Sequence, residues 1–290
     1  MPSMKAIKQR RASVTNMQQA MRAMNLVATA KLQRARTEWQ QIQAFISGTD
    51  TAMRNVAMDE RVATHLCVQG HESPGRNALY LVISSDRGKC GGYNLNAAKK
   101  ALTHAAENNK NAQYVVIGAK GYEYFTTRGH TAQCEPAPKS QPSYTEAQAF
   151  AKMLLNAYSS QDDEQGADEV YIVYTKFTSI LATEPTVVQV LPLNARLVDV
   201  NENTHKPMLY DPDPGVFIDH MMPIYLAAFI YGTMMESVVC EQAARMLNMD
   251  AATNNAQEII EDLTLMFNRQ RQGAITQEIT EIVSGANALN

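Results

Sequence analysis

SMKAIKQRRASVTNMQQAMRAMNLVATAKLQRARTEWQQIQAFIS, residues 3–47, contains neither glycine nor proline, the residues that most often end a helix. Ile7, Val14, Met21 and Ala28 recur every seven residues with Met17 and Met24 between them, the spacing of a coiled-coil seam. An offset then resets the apolar stripe to Trp39, Ile42, Ile46, Met53 and Val56, a stutter expected to relax a left-handed supercoil. A helix of this length needs a partner to bury its stripe.

The partner lies at the other end of the chain. Pro223 suits a first helical turn, and no proline follows from Ile224 to Asn290. Ile275, Ile279, Ile282, Ala286 and Leu289 step by four and three, which predicts a second long helix, with Gly232 and Gly273 as candidate interruptions. The two ends also differ in charge. Residues 1–36 carry eight Lys or Arg and no acid, whereas residues 209–290 carry three Arg and eleven Asp or Glu. That complementarity favours antiparallel pairing of the two ends. At 1.5 Å per residue the second helix outruns the first by about 30 Å, leaving the apolar tip AITQEITEIVSGANAL with nothing in this chain to cover it.

Between the helices the period changes. NALYLVISSD (77–86), AQYVVIGA (112–119), EVYIVYTKF (169–177) and PTVVQVLPL (185–193) are β-rich runs separated by helical stretches at 94–109 and 144–160. This alternation predicts an α/β layer with a mostly parallel sheet. Loops are expected at 69–76, 134–143, 161–168 and 210–215, giving an organisation of 1–60, 70–208 and 209–290.

Composition narrows the function. The 290 residues are 45% hydrophobic and 19% charged, with a net charge of −3, which excludes a disordered or strongly basic chain and gives no sign of a nucleic-acid partner. Cys67, Cys90, Cys134 and Cys240 lie too far apart for a local redox pair or zinc ligand set, and the six histidines never recur at ligand spacing and are expected at the surface, so no metal site is expected. The most apolar stretch, Met221–Met235, is shorter than the ~20 residues of a membrane span, so no transmembrane segment is expected. The basic first residues lack a secretory core and are expected to remain in the mature protein. SSDRGKCGGYN (84–94) places Gly88, Gly91 and Gly92 between a strand and a helix, where backbone amides can hold phosphate, yet it fits neither GxxxxGK[ST] nor GxGxxG. Its simplest reading is a structural glycine turn.

AMRAMNLVATAKLQRAR (20–36), SSDRGKCGGYN (84–94), LYDPDPG (209–215), ESVVCEQAARMLNMDAATNNAQEII (236–260) and NRQRQGAITQEITEIVSGANAL (268–289) together resemble the gamma subunits of F-type ATP synthases, over essentially the whole chain. The resemblance implies an α+β fold: a long antiparallel coiled coil of the terminal helices plus a central α/β (Rossmann-like) domain. It implies a central-stalk rotor that couples ion flow through the membrane c-ring to ATP synthesis or hydrolysis, with no catalytic site or cofactor of its own, ATP, ADP and Mg lying on partner subunits. Implied partners are the ring of alpha and beta subunits, the epsilon subunit and the c-ring, at the cytoplasmic side of a bacterial inner membrane. By motif position, Arg271 and Gln272 contact the beta subunits' catch loops, Ile275, Ile279, Ile282, Val283 and Leu289 turn in an apolar sleeve, and Tyr210 and Asp211 face the c-ring. Lys89, Cys240 and Gly273 depart from the family's usual leucine, serine and alanine. The alternative on these residues is a phosphate-handling α/β enzyme whose helices only dimerise it; a passive coiled-coil tether is a third possibility.

Overall fold

The computed structural model describes residues 3–71, 77–138, 141–160, 166–193, 210 and 213–288. Its elements are α1 (Met4–Ala57), a 3-10 turn (Glu60–Val62), α2 (Leu66–Gln69), β1 (Asn77–Ile83), α3 (Tyr93–Glu107), β2 (Asn111–Ile117), α4 (Ala119–Thr127), β3 (Ala132–Glu135), α5 (Tyr144–Ser159), β4 (Glu169–Phe177), β5 (Thr183–Leu191) and α6 (Pro214–Ala288). They form two compact units, one of residues 1–29 with 245–290 and the other of residues 30–244.

In the larger unit five strands run in the order β3-β2-β1-β4-β5, parallel except for β5, which pairs antiparallel with β4. Both faces are covered, so β1 is apolar on both. Leu79, Leu81 and Ile83 join one core with Leu154 and Tyr158 of α5, Met53 and Val56 of α1, and Met222, Leu226 and Ile230 of α6. Ala78, Tyr80 and Val82 point the other way, onto Ala97, Ala98 and Ala101 of α3. On that face the ring of Tyr80 stacks on Tyr171 at 4.9 Å and lies 5.5 Å from Tyr114, its register partners on β4 and β2. Such cross-strand aromatic pairs pin the register.

Several expectations change here. The sheet has a fifth strand, β3, where a loop was expected from Cys134; its four residues, AQCE, are too few and too polar to carry a strand signal at an edge. The short α4 was also missed, because Gly121 and two threonines dilute its helical pattern. Pro223 does not open a helix but lies inside α6. It is exposed, so the Asp219 carbonyl it leaves without an amide can face water. Neither Gly232 nor Gly273 interrupts α6, which runs unbroken for 75 residues. The most apolar 18-residue window of α6 has mean hydropathy 1.4, enough to span a membrane by length and composition, but 67% of it is buried in the protein's own core.

The smaller unit pairs the amino-terminal part of α1 with the carboxy-terminal part of α6. Asn25 Nδ2 donates to Met246 O, Gln18 Nε2 to Thr253 O and Gln257 Oε1, and the Arg11 guanidinium lies over the Phe267 ring, so numbers rise along one helix as they fall along the other. Ile7 and Val14 are buried against Ala256 and Leu263. The seam differs from expectation. Met17 is 51% exposed and Met24 half-buried; the positions between Val14, Met21 and Ala28 are held by Gln18 and Asn25. Counting those two polar residues, the heptad runs on through Leu32, Trp39, Ile46 and Met53 without a stutter. The apparent offset arose because only apolar residues were counted.

Candidate functional site: an unaccompanied helix tip and a filled crevice

Phe267 packs against the buried cluster of the helix pair, and among the described residues from Arg271 onward only Ala274 is even half-buried. The end of α6 from residue 271 to 288, about 27 Å of helix, is therefore almost wholly exposed among the described residues. Arg271 and Gln272 are exposed at the start of this segment. Ile275, Ile279, Ile282 and Val283 are 47%, 56%, 71% and 53% exposed. Leu289 lies outside the described residues. The tip's polar side chains bond along the helix: Thr276 Oγ1 to Gln272 O, Thr280 Oγ1 to Thr276 O, and Gln277 Nε2 to Glu281 Oε1. What remains facing outward is an apolar stripe, which binds without fixed direction.

The glycine turn follows β1. Gly91 takes φ 58°, a conformation suited to glycine, and Lys89 takes φ 64° without that freedom. Several of the turn's polar groups bond within it. Asn94 Oδ1 accepts from Ser85 N at 2.8 Å, Asn94 Nδ2 donates to Arg87 O, and Ser84 Oγ bonds Ile117 O and accepts from Gly121 N. Asp86 Oδ1 accepts from Ala119 N, at the first turn of α4, where a phosphate would otherwise fit. Gly88 and Gly92 are exposed beside it.

The crevice at the carboxyl ends of β1 and β4 holds a piece of α6. Glu236 Oε1 accepts from Phe177 N at 2.8 Å, and Cys240 Sγ donates to Thr175 O at 3.2 Å. Cys240 also packs with Cys90 and Tyr93. Burial, reinforced by the Glu236 carboxylate, raises the Cys240 thiol far above its ordinary range, and burial raises the Tyr93 hydroxyl likewise. Burial also raises the Glu236 carboxyl, against the opposing bond from Phe177. An acid directly after the apolar Met221–Met235 run was the one sequence signal for this contact.

Just before α6, Tyr210 is half-buried between the Phe217 ring at 5.5 Å and the Arg61 guanidinium at 5.3 Å. Arg61 is held by Asp59 through bonds of 3.0 and 2.7 Å. Asp211 lies outside the described residues. Burial and nearby Asp219 push the Cys67 thiol up to about 11. Three histidines are less superficial than expected: His65, His71 and His104 are half-buried, bonded to Asp219, the Tyr158 carbonyl and the Tyr80 hydroxyl, whereas His130 and His220 are exposed and His205 lies outside the described residues. Small packing pockets at helix starts and strand ends admit an imidazole that keeps a polar partner. Among the described residues no three His, Cys, Asp or Glu side chains gather as a metal set.

A family model described as ATP synthase matches residues 3–289. The chain is 35% identical to the ATP synthase gamma chain of Alkaliphilus metalliredigens, over 99% of this chain and 98% of that protein. It is 34% identical to the gamma chain of Staphylococcus saprophyticus over the full length of both. Among solved structures it is similar in fold to a chain of the Euglena gracilis mitochondrial ATP synthase (TM-score 0.67, 14% identity, 99% of this chain and 94% of that one). A chain of the Tetrahymena thermophila central stalk and c-ring gives TM-score 0.61 at 20% identity, covering 80% and 99%.

Proposed function

The chain belongs to the ATP synthase gamma-chain family, and on that premise we propose that it is the central-stalk rotor subunit of an F-type ATP synthase, itself non-catalytic. The observation that carries the reading is the exposed apolar tip of α6, standing beyond its partner helix at the end of an unbroken helix of 75 residues. Such an exposed apolar surface marks a site covered by other chains, and a ring around the tip would shelter it from water.

In this reading the tip turns inside a ring of three alpha and three beta subunits. An asymmetric shaft in a threefold ring meets each beta subunit differently, so its angle favours a different nucleotide affinity at each site. ATP, ADP and Mg are bound by those partners. Ile275, Ile279, Ile282, Val283 and Leu289 form the bearing surface, whose non-directional contacts hold no preferred angle. Arg271 and Gln272 supply polar, angle-dependent contacts to the beta subunits. The α/β body, with Tyr210 and Asp211 at its foot, meets the c-ring and the epsilon subunit, peripheral to a bacterial inner membrane on its cytoplasmic side.

The test is reconstitution with alpha and beta subunits. Arg271→Ala combined with Gln272→Ala is expected to weaken coupling or assembly while the isolated chain stays folded. Unchanged ATP synthesis and hydrolysis in that double mutant would remove the assigned role.

A further inference from the structure

The sheet changes its winding direction between β1 and β4. From β1 the chain passes through α3 to β2 on one side, and α5 then returns it across the opposite face to β4 on the other. In open α/β sheets the carboxyl ends of the two strands at such a point bound the crevice where ligands bind. Here the occupant is the chain's own helix α6, attached by the Glu236 bond to the Phe177 amide and the Cys240 bond to the Thr175 carbonyl.

A half-buried acid is a costly way to pack a helix. Interlocked apolar side chains already resist movement of the helix, but they carry no directional bond to the sheet. A carboxylate bonded to a backbone amide of a sheet strand fixes both rotation and height. Beside this contact Thr175 Oγ1 is buried without a hydrogen-bond partner and Ser237 faces the buried Tyr93 hydroxyl, so the crevice keeps a polar lining around α6. The main core contacts of α6 with the body run from Ile218 to Met234, and a smaller cluster of Cys240 and Ala244 with Cys90, Tyr93 and Phe177 continues past Glu236 to the end of the unit at residue 244.

We propose that Glu236 is a positioning residue that keys α6 into the switch-point crevice, so that rotation of the α/β body is handed to the helix there. This rests on the rotor reading. The measurements are ATP-driven ion pumping per ATP hydrolysed in the reconstituted complex, and hydrogen exchange of the Phe177 amide in the full isolated chain. Glu236→Gln keeps an acceptor oxygen and is expected to match the parent in both. Glu236→Ala is expected to hydrolyse ATP with loss of pumping, and to speed Phe177 exchange by about tenfold or more. If the alanine variant does not assemble, the exchange comparison still decides. Equal Phe177 protection in all three chains, or full pumping by Glu236→Ala, would overturn the proposal. Failure of the parent chain itself to join alpha and beta subunits would instead count against the rotor reading.

Discussion

Gln18 Nε2 donates to Gln257 Oε1 at 2.9 Å across two antiparallel helices, from a seam position that coiled coils ordinarily fill with an apolar side chain. Gln18 is buried, whereas Gln257 is exposed and can turn to water when its partner is removed. A polar residue at such a position trades stability for a single register.

Gln18→Leu is therefore expected to stabilise the isolated chain by about 1 kcal/mol, whereas Gln18→Ala loses packing and costs about as much. Urea denaturation reads both, and a lower midpoint for the leucine variant would contradict the account.

Ile279→Asn with Ile282→Asn changes only exposed positions, so the thermal midpoint of the isolated chain corresponds to a change within about 0.5 kcal/mol. Co-purification with alpha and beta subunits is expected to weaken. A passive tether would tolerate both changes.

Two glycines of α6 respond differently to alanine. A Cβ at Gly273 meets nothing within 4 Å, so Gly273→Ala stabilises by up to about 1 kcal/mol through helix propensity. A Cβ at Gly232 runs into Ile46 Cδ1, the end of a side chain that must turn aside, so Gly232→Ala forfeits part of that propensity gain. Adding Ile46→Val, which removes that carbon, should recover much of the loss in the same denaturation assay.

His104 Nδ1 shares a hydrogen bond of 2.9 Å with the Tyr80 hydroxyl. Burial first, then Lys100 and Lys110, hold it below its ordinary 6.5, outweighing Glu107 and Glu169. The unfolded chain thus takes up a proton that the native state refuses, so this contribution is complete above pH 6.5 and is lost as the pH falls through the lowered value. Urea midpoints measured from about pH 7.5 down to about pH 5 should fall, and His104→Gln should flatten the slope.

Much of this was legible in residue order. The long helices, the four longer strands, and the uncovered apolar stripe at Ile275, Ile279 and Ile282 follow from periodicity, since a face that repeats every three or four residues needs no tertiary context to be seen. The edge strand AQCE was not legible, because four residues with one face open to water carry almost no pattern. Neither was the true seam, where Gln18 and Asn25 sit at apolar positions and reveal themselves only through the backbone and side chains they reach on α6.

By itself the sequence determined that two helices too long to be self-sufficient flank an α/β body, and that one of them ends in apolar residues its own chain does not cover. Only the tertiary structure decided that the nucleotide-style crevice between β1 and β4 is filled by Glu236 and Cys240 of α6. Periodicity is a property of neighbours along one element. That contact joins Phe177 and Glu236, 59 residues apart, and depends on which strand end the returning helix crosses.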